Sequence, residues 1–112
     1  MLTLSQYKPF NPILGQTFQG NLDKDTELYM EHISHHPAIT QYLIKNPNWE
    51  LHGRWTYNCE FGMNYLDVFN EGWMTIKFKD GEEFQVKYPE CKLKGIITGD
   101  RIVRSIGCSV VY

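Results

Sequence analysis

The sequence lacks the features that mark several large classes of protein. No stretch of its 112 residues approaches the roughly 20 consecutive apolar residues of a membrane-spanning helix. The start, Met1-Leu2-Thr3-Leu4-Ser5, has neither the positive charge nor the long apolar core of a secretory leader. Cysteine is sparse: Cys59, Cys91 and Cys108 are odd in number, far apart and in no CxxC pattern. That argues against a disulfide scaffold or a zinc ribbon and fits reduced thiols in the cytosol. Net basicity is absent too, with 11 Lys and Arg against 13 Asp and Glu, so no nucleic acid partner is expected. No long amphipathic helix pattern occurs. What is present is apolar content of 42 % and aromatic content of 14 %, enough to build a packed interior in one domain or one piece of a larger one.

The first twenty residues differ from the rest. Lys8-Pro9-Phe10-Asn11-Pro12-Ile13-Leu14-Gly15 sets two prolines and a glycine close together, which predicts an extended, looped segment. Its apolar Phe10, Ile13 and Leu14 are expected to pack against the body of the protein. From Leu28 onward, short runs of alternating polarity follow one another: 28–33, 39–45, 49–57, 65–69, 73–79 and 82–88. Asp80-Gly81 is a hairpin signal of the type I′ kind, and Gly99-Asp100 is read as joining a strand at 94–98 to one at 101–106. About seven strands at this spacing predict an antiparallel meander. Such a sheet must close, pair or leave edges open, and nothing after Tyr112 closes it, so part of a larger fold is expected. Residues 73–112 carry seven of the eleven basic residues, a skew that is by default a solvated sheet face and less often a surface for anionic membranes.

The densest cluster of chemically capable groups is Glu31-His32-Ile33-Ser34-His35-His36-Pro37. Neighbours on a regular strand point to opposite faces, but a turn at Pro37 can bring the rings of His35 and His36 together. Imidazole N–H groups donate well to phosphate oxygens, and Lys8 and Asn11 would add an ammonium and an orienting amide. A zinc site from His32, His35, His36 and His52 is disfavoured, because this spacing on strand and turn does not gather ligands as a helical HExxH does. Ser34 as a nucleophile lacks a GxSxG elbow. On the residues alone, a turn cap made by the two histidines remains the default. Tyr42, Trp55, Tyr57, Tyr65, Phe69, Phe78 and Phe84 are read as core before they are read as a lipid tunnel.

Two segments in order, Lys8-Pro9-Phe10-Asn11-Pro12-Ile13-Leu14-Gly15-Gln16-Thr17-Phe18 and Glu31-His32-Ile33-Ser34-His35-His36-Pro37, resemble the paired signatures of the oxysterol-binding protein family, KPFNPxLGE and EQVSHHPP. Later segments, Leu51-His52-Gly53, Tyr88-Pro89 and Gly95-Ile96-Ile97-Thr98-Gly99, are similar as well. The resemblance implies a mainly β fold: an antiparallel meander forming part of an incomplete barrel, preceded by the proline-rich loop. It implies that residues 1–112 form part of a lipid-binding domain whose N-terminal lid and C-terminal part are absent. The expected function is binding, and non-vesicular transfer, of a phosphoinositide such as phosphatidylinositol 4-phosphate and of a sterol or other lipid in exchange. The alternative is a non-transferring remnant or interaction protein that uses its open sheet edges.

Carried over position by position, Lys8, Asn11, His35 and His36 match the headgroup-binding residues, and Ile13 and Leu14 the mouth around them. No catalysis, metal or cofactor is expected, and the chain is expected in the cytoplasm with transient contact to anionic membranes. Three positions depart from the signatures: Gln16 for glutamate, His32 for glutamine and Ala38 for a second proline.

Overall fold

A computed structural model describes residues 9–106. Ten strand segments account for its regular structure. They are β1 (Thr17–Asn21), β2 (Glu27–His35), β3 (Ala38–Asn46), β4 (Trp49–Trp55), β5 (Tyr57–Gly62), β6 (Tyr65–Asn70), β7 (Trp73–Phe78), β8 (Glu83–Lys87), β9 (Glu90–Lys94) and β10 (Ile102–Ile106). All pairings are antiparallel, in a six-stranded sheet ordered β1-β2-β3-β4-β7-β8 and a four-stranded sheet ordered β10-β9-β6-β5. The chain passes between the sheets at Thr56, at Glu71-Gly72 and at Tyr88-Pro89. Segments β4–β5, β6–β7 and β8–β9 are therefore three long strands, each bent at one of these points. With β1, β2, β3 and β10 they make a seven-pass meander, in which the separately read runs 65–69 and 73–79 form one bent strand and β1 is an added pass.

The bend has its own chemistry. Asn70, 6 % exposed, sits where β6 leaves its sheet. Its side-chain oxygen accepts the amides of Thr56 (2.9 Å) and Gly72 (3.1 Å), and its amide nitrogen points at the Arg54 carbonyl (3.5 Å). The Glu71 amide donates to the Thr56 carbonyl (3.2 Å). Gly72 is required here, since a Cβ would lie 2.2 Å from the Arg54 carbonyl oxygen. One buried amide thus satisfies backbone groups that a bending sheet would orphan.

Across the six-stranded sheet, Phe18, Met30, Tyr42, Gly53, Met74 and Val86 are successive partners in one row, and alternation puts all six on one face. The Tyr42 ring lies over Gly53, where any Cβ would meet it, and stacks obliquely on Trp55 with centroids 5.1 Å apart. Its hydroxyl hydrogen-bonds that of Tyr88, which in turn reaches the Met74 sulfur at 3.6 Å. Burial, and then the Tyr88 hydroxyl, push the Tyr42 phenol well above the ordinary range. Tyr42 is the one hydrophobic side chain among the described residues to be buried, at 6 % exposure. The other aromatics read as core are half-buried or exposed. The radius of gyration is 16.3 Å, against about 13 Å for a closed globule of this length. The sheet is an open shell, as the incomplete barrel requires. No helix of the described residues is long and apolar enough to cross a membrane.

Three local expectations are corrected. The segment before residue 21 is loop only up to Gln16, and Thr17–Asn21 joins the sheet as its edge strand β1. The strand expected at 94–98 lies instead at Glu90–Lys94. Gly95 there adopts a φ of 74°, and Asn64 captures the loop by accepting the Ile97 and Thr98 amides at 2.9 and 3.0 Å. Ile96 and Ile97 read as strand but are turned out of the ladder. The Asp80-Gly81 hairpin forms, but with positive φ at Gly81 alone. The Gly81 amide bonds the Phe78 carbonyl and the Phe78 amide the Glu82 carbonyl, which is a type I turn closed by a left-handed glycine.

Candidate functional site

The two motifs meet at one end of the six-stranded sheet. Strands β2 and β3 pair regularly from Glu27↔Lys45 to His32↔Thr40, then resume at Ser34↔Ile39 and His35↔Ala38. Ile33 is the extra residue of a β-bulge. Three positions apart, His32 and His35 would face opposite ways on a regular strand. The bulge returns them to one face, because their partners Thr40 and Ala38 are two apart. Ser34 is left on the other face, opposite Ile39.

The result is a row of three imidazoles. His32, 4 % exposed, places Nδ1 3.0 Å from the Thr40 hydroxyl and Nε2 3.3 Å from Nδ1 of His35. The His35 and His36 rings lie edge to face with centroids 4.7 Å apart, and both residues are exposed. His36 and Pro37, joined by a cis peptide, form the two-residue turn into β3. The expected convergence of His35 and His36 is present. His52 lies on β4 beside Glu50 (4.0 Å), away from this row. Among the described residues no group of three or more His, Cys, Asp or Glu is disposed to hold a metal ion.

The proline-rich loop is tied to the bulge by backbone. The Gly15 amide donates to the His32 carbonyl (2.8 Å), and the His32 amide to the Gln16 carbonyl (3.0 Å). These two bonds extend the β1–β2 ladder by one step, to Gln16 beside His32, before the loop turns away. Residues 13–16 form a type II turn: the Gln16 amide bonds the Ile13 carbonyl at 3.0 Å, and Gly15 takes the required positive φ of 80°. The Gln16 side-chain oxygen accepts the Ile13 amide at 3.0 Å. Glutamine therefore supplies the acceptor that glutamate would, without its charge.

Phe10, Ile13 and Leu14 are 102 %, 72 % and 64 % exposed, so hydrogen bonds and not apolar packing hold this loop, contrary to expectation. Asn11 is exposed on it. The Ile13 amide is already committed to Gln16. Lys8 lies outside the described residues. What spacing alone missed is the Thr40–His32 support behind His35. Its signal is the odd separation of His32 and His35, which becomes same-face only through the bulge.

A separate groove of about 640 Å³ crosses strands β1 to β4 and β7. It is lined by Phe18, Met30, Tyr42 and Gly53 and by residues of the flanking rows, among them Glu31, Gln41, His52, Arg54 and Trp73. Neither histidine of the pair lines it.

The oxysterol-binding protein family profile matches residues 2–112. Oxysterol-binding protein 9 of Dictyostelium discoideum is 34 % identical over 108 residues, 95 % of this chain and 25 % of that protein. Oxysterol-binding protein homolog 3 of Saccharomyces cerevisiae is 33 % identical over 101 residues, 88 % of this chain and 10 % of that protein. Among solved structures, the Saccharomyces cerevisiae Osh3 ORD in complex with PI(4)P superposes with a TM-score of 0.85 at 32 % identity, covering 94 % of this chain and 29 % of that one. The Osh1 ORD domain in complex with cholesterol gives 0.81 at 29 %, covering 93 % and 26 %. The chain thus spans a quarter or less of these curated relatives and under a third of the solved chains. With the open antiparallel shell and both motifs joined at one end of it, the chain belongs to the oxysterol-binding protein family.

Proposed function

We propose that this chain binds a phosphorylated lipid headgroup, with His35 and His36 as its phosphate ligands, and that it catalyses nothing. The observation that carries the reading is the edge-to-face pair of exposed imidazoles, 4.7 Å apart, at the end of a bulged strand whose other neighbour is the anchored proline-rich loop. Two ring N–H groups on one short turn can serve two oxygens of one phosphate, and charge-assisted bonds of this kind are roughly twice as strong as neutral ones. Lys8 and Asn11 add an ammonium and an amide from the loop. With the Ile13 amide bonded to Gln16, Leu14 is the mouth residue whose backbone faces the ligand. The lipid tails run along the apolar row from Phe18 to Val86. Support comes from relatives: solved ORD structures of this fold hold PI(4)P or cholesterol.

On this reading the hydrophobic ligand is a sterol or another lipid, exchanged for a phosphoinositide during transient contact with anionic membranes from the cytoplasm. Extraction of labelled phosphatidylinositol 4-phosphate from liposomes tests it. The parent protein extracts lipid, and the His35→Ala/His36→Ala double variant loses at least tenfold. Equal extraction by both removes the histidines from the function. A second reading, pairing with another chain, draws on β1 and β8 standing at the edges of one sheet and β5 and β10 at the edges of the other. A concentration-dependent oligomer in sedimentation that takes up no lipid would favour it.

A further inference from the structure

We infer that His32 is a positioning residue: it donates its Nε2 proton to Nδ1 of His35 and so fixes His35 as a ring that presents an N–H, at Nε2, to an anionic oxygen. The inference rests on the phosphate-binding reading for its purpose, but its geometry stands apart from it. His32 is buried at 4 % exposure, and its backbone is pinned on both sides, by the Gln16 carbonyl and the Gly15 amide. Its ring bridges Thr40 (3.0 Å) and His35 (3.3 Å). No other strand position places a second imidazole behind the first, and only the bulge at Ile33 makes it possible.

The negative charge of the ligand, taken with the proton count, sets the direction. A neutral imidazole has one donor and one acceptor nitrogen. Nδ1 of His35 is taken by His32, so Nε2 is the nitrogen left for a ligand. If His35 donated toward His32, its Nε2 would carry a lone pair and repel a phosphate oxygen. If His32 donates, Nε2 of His35 carries the proton and attracts it. His32 must then accept at Nδ1, and the Thr40 hydroxyl is the donor that this requires. The chain of bonds Thr40 to His32 to His35 thus ends in a single outward N–H, with each member satisfied. His32 stands where the family signature has glutamine, whose side-chain N–H can make the same donation.

The test is ¹⁵N NMR of the ring nitrogens in the ligand-free protein at about pH 8, above the ordinary imidazole range. The expected result is a proton on Nε2 of both His32 and His35, with scalar coupling between Nε2 of His32 and Nδ1 of His35. In His32→Ala the coupling vanishes, and affinity for a water-soluble phosphatidylinositol 4-phosphate falls about fivefold, the worth of one hydrogen bond. In His32→Gln affinity stays within about twofold. A His35 proton found on Nδ1, or unchanged affinity in His32→Ala, overturns the inference. The outcomes separate from the parent reading: coupled rings in a protein that binds no headgroup sink only the headgroup, and binding with His35 protonated on Nδ1 sinks only the relay.

Discussion

Two distortions of the sheet, the bend held by Asn70 and the bulge of β2, are built differently. At the bend between sheets, Asn70 is buried and its side chain is used up by the backbone of Thr56, Gly72 and Arg54. At the bulge of β2, Gln16 and His32 do similar structural duty for the loop and the strand, but the chain of polar contacts continues outward through His35 to His36 at the surface. A polar group whose bonds close on the backbone is architecture. A polar chain that ends in exposed donors has capacity left for a ligand. The contrast predicts that damage at the bend costs stability first, and damage at the bulge costs binding first.

The largest effect is expected at the bend. Asn70→Ala strands the buried amides of Thr56 and Gly72, at about 1–3 kcal/mol each, which is a large share of the stability of a domain this size. Urea denaturation should show a loss of roughly 3 kcal/mol or outright unfolding, and a loss under about 1 kcal/mol would break the comparison. Next is the His35→Ala/His36→Ala variant, which should lose headgroup affinity at least tenfold while its urea midpoint falls by less than that of Asn70→Ala, because both rings are exposed and only the Nε2 of buried His32 loses a partner. A comparable fall in stability would make the pair architectural after all. Smaller again is Gln16→Ala, which removes the acceptor for the Ile13 amide at the cost of about one hydrogen bond, near 1 kcal/mol. Gln16→Glu keeps that acceptor, so proteolysis of the loop should speed up in the alanine variant and not in the glutamate one.

The smallest effect concerns Tyr42, on neither distortion. Its phenol is raised by burial, so the folded state holds the proton that the unfolded chain gives up near pH 10. The stabilisation is intact below about pH 10 and is lost as pH climbs beyond it toward the folded value. Alkaline denaturation should therefore be shallower in Tyr42→Phe, and an unchanged slope would show the phenol to be solvated.

Much of this was legible from alternation alone, because residue pairs two apart carry the sheet: the antiparallel meander, the strands at 39–45 and 73–79, and the hairpin at Asp80-Gly81. What was illegible depends on contacts distant in sequence. The run at 49–57 does not announce that it bends, nor the runs at 65–69 and 73–79 that they are one bent strand, since the bend is set by Asn70 reaching across to Thr56. Ile96 and Ile97 have strand composition, but Asn64, more than thirty residues away, claims the amides of Ile97 and Thr98. At the site, residue chemistry and motif order pointed to His35 and His36. The support from His32 and Thr40 was hidden, because an i, i+3 pair shares a strand face only after a bulge that no local pattern demands.

The central claim is that a phosphate docks on His35 and His36 and nowhere else among the histidines. Ring ¹H–¹⁵N spectra during titration with water-soluble phosphatidylinositol 4-phosphate test it directly, with His52 as the internal control on β4. Saturable, concerted shifts of the His35 and His36 rings with His52 unmoved are the predicted result. Equal shifts at all the rings, or a stationary His35 and His36, would contradict it.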